Sequence, residues 1–267
     1  MRFYVLNTGY LKTDKNNVVA NSTVCTRRNP VVTHEFYNLP VMCILIKHDN
    51  GYILYDTGSN PDAMKGYWPE SLQDAYEFHQ KLEERLEIQL ALCGVQAEDI
   101  DTVIVSHMHF DHTGNLHLFK HADVYVPKAD FMAAQTDVRL SAVPTTFSGY
   151  CKGDMDVLVK QYHLVEDDFE IVPGVEIINL PGHTPGLLGL IIHGEKDGTF
   201  IFPMDAVYTQ EIYGPPAKAS GLLCDRAAYF KSIETVRRLQ KQYHATVIPA
   251  HDWDFFQTLR KAPEYYE

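Results

Sequence analysis

His107-Met108-His109-Phe110-Asp111-His112 puts four metal-capable side chains within six residues. The run comes straight after the apolar, β-branched stretch Thr102 to Ser106 and just before Thr113-Gly114-Asn115, so it reads as a buried strand running into a turn. One histidine at such a place is ordinary packing or surface. Three imidazoles and a carboxylate this close together are costly to bury unless a cation coordinates them. Neutral imidazoles and a carboxylate suit Zn²⁺, and also Fe²⁺, Mn²⁺ or Co²⁺, so the donor types leave the metal open.

Further along the chain three more candidates follow predicted strands: His183 in Pro181-Gly182-His183-Thr184-Pro185-Gly186, Asp205 in Pro203-Met204-Asp205, and His251 in Pro249-Ala250-His251-Asp252. Taken singly, a His or Asp in a turn is more often solvated or capping than coordinating. Strand ends at one edge of a sheet, however, are where α/β folds place ligands. With the first cluster these residues make seven ligands, enough for two metals with a carboxylate between them. Gly182-x-x-x-Gly186-x-x-Gly189 lies between two predicted strands and lacks a Gly-x-Gly pair, so it reads as the turn that aims His183 rather than a phosphate loop. The remaining eight histidines, His117, His121 and His163 among them, have no matching partners and read as structural.

The elements around these residues alternate. Val41 to His48 and Tyr52 to Asp56, separated by Asp49-Asn50-Gly51, form a predicted hairpin. Leu72 to Cys93, with Gly94 as its stop, carries a helical spacing of apolar residues, and the charges of Gln80 to Glu87 read as its solvated face. Ala122 to Pro127 reads as a strand and Lys128 to Gln135 as a short helix. Thr136 to Asp156 is less patterned, a loop or insertion in which the substrate pocket is expected. Val175 to Leu180, Leu187 to His193 and Thr199 to Pro203 read as strands. Asp225 caps a predicted helix to about Tyr243, and Thr246 to Pro249 is a last strand. No linker or fixed-period repeat interrupts the pattern. The expectation is one α/β domain, residues 1–267, with two pseudo-equivalent halves.

Composition narrows the function classes. The 267 residues are 45% hydrophobic and 22% charged, ordinary for a globular protein, so the motifs carry the argument. Acidic residues outnumber basic ones 35 to 23, and a net charge of -12 argues against nucleic acid as a partner. No stretch approaches the ~20 apolar residues of a membrane span, and Met1 to Leu11 has neither the apolar core nor the cleavage site of a signal peptide. Cys25, Cys43, Cys93, Cys151 and Cys224 are odd in number and form no Cys-x-x-Cys pair. They are expected to be reduced thiols in a cytoplasmic protein, packed as small apolar residues.

Several stretches together carry a resemblance. Asn38-Leu39-Pro40-Val41, Asp56-Thr57-Gly58, Ser106 to His112, Val172-Pro173-Gly174-Val175, Pro181 to Gly186, Asp205-Ala206-Val207-Tyr208 and His251-Asp252 make the chain resemble the metallo-β-lactamase superfamily. Within it the chain is similar to the N-acyl-homoserine lactonases. The resemblance implies an αββα sandwich, two mixed β-sheets flanked by helices. It implies two divalent ions, Zn²⁺ first and Fe, Mn or Co as alternatives, with His107, His109 and His183 on one, Asp111, His112 and His251 on the other, and Asp205 bridging. Asp56 would then stand behind the ligands, although it reads equally well as a turn residue before Thr57-Gly58.

The implied reaction is hydrolysis of a lactone ester by a metal-bridging hydroxide. Asp111 would donate a proton to the leaving alkoxide, and the phenol of Tyr208 would hydrogen-bond the substrate oxygen on which charge develops. The product, an N-acyl-homoserine, no longer acts as a quorum signal. The partner is thus a small-molecule lactone, and a homodimer is the assembly to test for. The rivals are a hydroxyacylglutathione thioesterase, another esterase or phosphotriesterase of the same fold, and a non-catalytic metal-stabilised module. A class B β-lactamase lacks the bridging aspartate, and a superfamily nuclease conflicts with the charge.

Overall fold

In the first strand, β1 (Arg2–Asp14), Phe3 and Val5 pack on one face while Tyr4 and Leu6 pack on the other, all of them buried. That period of two, with apolar residues on both faces, marks a strand covered on both sides. The computed structural model describes residues 1–140 and 149–267. Within them β1 is followed by β2 (Phe36–His48), β3 (Gly51–Tyr55), β4 (Glu77–His79), β5 (Thr102–Ile104), β6 (Asp123–Pro127), β7 (Gln161–Val165), β8 (Phe169–Val172), β9 (Val175–Asn179), β10 (Leu188–His193), β11 (Thr199–Phe202) and β12 (Thr246–Val247). A seven-stranded sheet runs in the order β4-β1-β2-β3-β5-β6-β7 and a five-stranded one in the order β12-β11-β10-β9-β8. Both are mixed: β1, β2 and β3 pair antiparallel, and β3, β5, β6 and β7 pair parallel. In the smaller sheet only β11 and β12 run parallel.

The two sheets pack face to face. Phe3, Ile44, Ile46 and Tyr55 of the larger sheet meet Ile177, Leu190 and Phe202 of the smaller in one buried cluster. The Tyr55 hydroxyl donates to the Leu188 carbonyl at 2.6 Å and so pins the sheets to each other. Behind the larger sheet, Leu45, Leu54, Val103 and Val124 pack on Leu86, Leu90 and Phe119 of the flanking segments. Behind the smaller sheet, Val236 and Leu239 of the helix Arg226–Tyr243 cover β11 and β12. This is the expected helix-flanked sandwich of two mixed sheets.

The hairpin predicted at Asp49-Asn50-Gly51 is present, with Ile44 opposite Tyr55 and Gly51 at φ 133°. Asp225 caps the helix Arg226–Tyr243 as expected, its carboxylate accepting from Ala228 N at 2.9 Å. Other readings need correction. Leu72 to Cys93 is not one helix but Glu70–Ala75, then β4, a turn at Leu82–Glu84 and the helix Leu86–Leu92. Phe78 pairs with Leu11 at the open edge of β1, and Tyr76 and Phe78 sink into a third apolar cluster beside Trp68. Pairing of Glu77–His79 with β1 thus overrides the helical spacing of the apolar residues on either side. The charges of Gln80 to Glu87 lie on no continuous helix, and Glu84 instead accepts from the backbone N of Lys81 at 2.7 Å.

The helix begun at Lys128 continues to Leu140, five residues past the expected end at Gln135. Of the stretch Thr136 to Asp156, residues 141–148 lie outside the described residues, and Lys152–Met155 is a helical turn. The last strand is only Thr246–Val247. Strands β1, β7 and β8 were not anticipated. Cys43 and Cys151 are buried and all five thiols are free, but Cys25 and Cys224 are exposed rather than packed. Among the described residues no helix is long and apolar enough to cross a membrane.

Candidate metal centre

Strand β5 delivers the histidine run to one rim of the sandwich, and the two loops at its end are tied together by backbone bonds. Thr57 N donates to His112 O and Gly114 N to Gly58 O, both at 2.8 Å. Asn115 Nδ2 bridges the carbonyls of Thr57 and Ser59. Gly114 has to be glycine, since a Cβ there would lie 2.1 Å from Asn60 N. From the other side, Gly182, at φ +133° and with no room for a Cβ against the Tyr229 backbone, turns the chain so that His183 faces the same rim. Asp205 arrives from β11 through a short turn, and His251 from β12, its backbone N held by Tyr208 O at 2.8 Å.

All seven predicted ligands converge. His107, His109 and His183 form one group, Asp111, His112 and His251 another, and Asp205 stands with His107 and His112. In each of these groups the candidate ligand atoms lie within 4.8 Å of one another. Asp205 faces both sides. Its Oδ2 lies 3.3 Å from His183 Nε2 and 3.8 Å from His107 Nε2, while Oδ1 lies 3.1 Å from His251 Nε2 and 3.4 Å from His112 Nε2.

Four of the imidazoles are oriented from behind. His112 Nδ1 is 2.8 Å from Asp56, His183 Nδ1 2.9 Å from Leu222 O, His251 Nδ1 3.0 Å from Pro40 O and His107 Nδ1 3.1 Å from Ser106 Oγ. Donation from Nδ1 to these acceptors leaves the Nε2 lone pair aimed inward, the tautomer a ligand needs. His107 Nε2 and His112 Nε2 are buried without a hydrogen-bond partner among the described residues. Orphaned acceptors around a shared carboxylate fit a pair of cations, and in their absence would carry the full cost of desolvation.

The charge environment divides the imidazoles. Burial holds His107, His109 and His183 below the ordinary imidazole range. Burial pulls His112 and His251 the same way, but the carboxylates facing them, Asp111 and Asp56 for His112 and Asp205 for His251, carry both above it. Burial would raise Asp205, yet the imidazoles of His251, His112 and His107 hold it well below the usual carboxylate range.

Asp56 lies behind His112 at the end of β3. It is 0% exposed at a left-handed φ of 61° and accepts from Ser106 N at 2.6 Å and Ser106 Oγ at 2.8 Å as well as facing His112. Tyr208 is buried, its ring 5.4 Å from His183 and 4.9 Å from His251, so it spans the two groups. Beside His109 and His183 opens a cavity of about 540 Å³ walled by Leu72, Phe110, Leu222 and Leu223, with Tyr150 and Asp137 also lining it. The expected pocket segment therefore contributes, although the helix Glu70–Ala75 and the loop Gly221 to Cys224 do as much.

Sequence reasoning passed over Asp130, Gly149, Tyr150 and Asp154. Asp130 is buried, accepting from Met108 N at 2.6 Å and from the Tyr150 hydroxyl at 2.5 Å. Asp154 is buried too, accepting from Tyr67 at 2.6 Å and Thr113 at 3.2 Å. Neither aspartate sits in a motif, and only the fold brings them behind the site.

Comparison with known proteins agrees with this geometry. A family model described as the metallo-beta-lactamase superfamily matches residues 37–251. The N-acyl homoserine lactonase AiiB of Agrobacterium fabrum is 33% identical over 276 residues, covering 100% of this chain and 99% of its own. The lactonase AiiA of Bacillus thuringiensis subsp. kurstaki is 28% identical over 234 residues, covering 85% of this chain and 87% of its own. Among solved structures, an N-acyl homoserine lactone hydrolase with the product N-hexanoyl-L-homoserine at its catalytic metal center superposes with a TM-score of 0.83 at 26% identity, over 99% of this chain and 98% of that one.

Proposed function

The chain belongs to the metallo-beta-lactamase superfamily and, within it, to the N-acyl homoserine lactonases, and from that membership we propose that it opens the lactone ring of N-acyl homoserine lactones, silencing them as quorum signals. The observation that carries this reading is Asp205, with one carboxylate oxygen toward His107 and His183 and the other toward His112 and His251. We take the first ion to be held by His107, His109 and His183, the second by Asp111, His112 and His251, and Asp205 to be shared, with zinc as the metal. Two divalent ions held there supply Lewis acidity toward an ester carbonyl and a water activated near neutral pH.

The chain's own residues do the rest. Burial, with Asp205 and Tyr76 nearby, pushes the Tyr208 phenol well above its ordinary range, so it stays protonated and donates to the substrate oxygen on which charge develops. Asp111 sits beside His112 and His251, at 3.6 and 3.7 Å from their Nε2 atoms, where its carboxylate would take up the proton released by the attacking water and pass it to the leaving alkoxide. The apolar wall of Leu72, Phe110, Leu222 and Leu223 receives the acyl chain and excludes water from it. We read residues 1–267 as one domain, since β1 pairs through Phe3 with Tyr266 at the far end of the chain. Free thiols throughout fit a reducing cytoplasm.

Assaying the metal-loaded protein on acyl-homoserine lactones of several chain lengths, S-lactoylglutathione, nitrocefin and a phosphotriester tests the reading. The lactones should be turned over most efficiently. A preference for S-lactoylglutathione would move the protein to the thioesterases, and no turnover of any lactone would sink the proposal.

A further inference from the structure

We propose that Tyr150, held in place by Asp130, is a positioning residue that fixes the ring of His109 for the first metal ion; the inference rests on the reading that His107, His109 and His183 hold that ion. His109 differs from its companions. The other four imidazoles are anchored through Nδ1 to an acceptor behind the site, whereas His109 turns its Nδ1 toward His183 Nε2, 3.0 Å away. It cannot use the Nδ1 anchor that orients the others.

Two neighbours hold the His109 ring instead. Gly149 lies flat against it, so close that a Cβ would come within 2.6 Å of His109 Cδ2, and its carbonyl accepts from Phe110 N at 2.9 Å. The Tyr150 ring packs on the same imidazole with centroids 5.2 Å apart at 52°. Tyr150 is itself clamped. Its hydroxyl donates to Asp130 Oδ1 at 2.5 Å, while Asp130 Oδ2 accepts from Met108 N at 2.6 Å. One buried carboxylate thus grips both the backbone that leads into His109 and the ring that packs on it. Because Tyr150 also lines the substrate cavity with His109 and His183, anything bound there touches the residue that orients the ligand.

The test uses the metal-loaded enzyme and titrates it with a chelator, following release of each ion, with Co²⁺ absorption as a second readout. Tyr150→Phe removes one hydroxyl, and it should weaken one of the two ions by about tenfold, the lower end of what supporting contacts to a ligand contribute. The other ion should keep its wild-type affinity. Asp130→Asn should weaken the same ion further, and the double variant no more than Asp130→Asn, because both act through one contact. Melting of the metal-free Tyr150→Phe protein should stay close to wild type. Two ions held as tightly as in the wild type, or both weakened in parallel with a falling melting temperature, would overturn the inference. A wild-type protein that binds no metal would overturn the metal-site reading itself, and this inference with it.

Discussion

Asp56 Oδ2 lies 2.8 Å from His112 Nδ1, and both residues are almost wholly buried at the ends of adjacent loops. That contact decides which nitrogen of His112 faces the site. Asp56→Ala removes it and strands Ser106 N as well, so an ion at Asp111, His112 and His251 should bind 10- to 100-fold more weakly, on the order of the loss for such supporting carboxylates. Chelator competition measures it. Unchanged affinity would return Asp56 to the status of a turn residue.

Asp205→Asn keeps the shape of the side chain and removes the charge shared between the two histidine groups. Both ions should weaken together, because each carboxylate oxygen faces one group. Elemental analysis after purification in metal-supplemented medium should show fewer than two ions per chain. Full occupancy with full activity would leave Asp205 no bridging role.

Tyr208→Phe tests chemistry apart from metal retention. Loss of the phenol should lower kcat on an acyl-homoserine lactone by roughly ten- to a thousandfold, at or somewhat below the range for single oxyanion donors. Metal content should not change. An aryl ester with an easy leaving group should suffer less, and equal losses on both substrates would indicate a positioning defect.

Asp154 supplies a pH signature. Burial raises its carboxyl to about 7 against the hydrogen bonds from Tyr67 and Thr113. An unfolded chain gives up this proton near the ordinary carboxylate value of 3.8, so between these values the folded state holds one more proton and stability falls as pH rises. The effect is bounded at roughly 4 kcal/mol. Asp154→Asn should therefore gain on the wild type in denaturant midpoint from pH 5 to pH 7.5. A constant difference across that range would show that Asp154 titrates normally in the folded protein.

What could be read before folding follows from how local the signal was. The ligand run at His107 to His112 is compressed into one loop, and its meaning survives without tertiary information. His183, Asp205 and His251 were legible because each ends an apolar strand. Tyr76 misled, since it continues the helical spacing of Leu72 and Ala75 while the strand that follows it, β4, pairs with the edge of β1 more than sixty residues upstream. Asp130 and Tyr150 were invisible for the same reason. Their importance is a contact between a helix and a later loop, and no residue pattern records it.

Each histidine group draws on both sheets. His107, His109, Asp111 and His112 hang from the end of β5, while His183 and His251 hang from the loops that leave β9 and β12. An ion in either group is therefore a cross-link, joining positions such as His109 and His183, which are 74 residues apart. It removes freedom from the unfolded chain as any loop closure does, and its binding energy adds to that of folding. The rim of the sandwich works as a clasp. Starved of metal, such a protein loses more than turnover: its two layers part more readily, and its lifetime against proteases comes to depend on the metal supply of the cell.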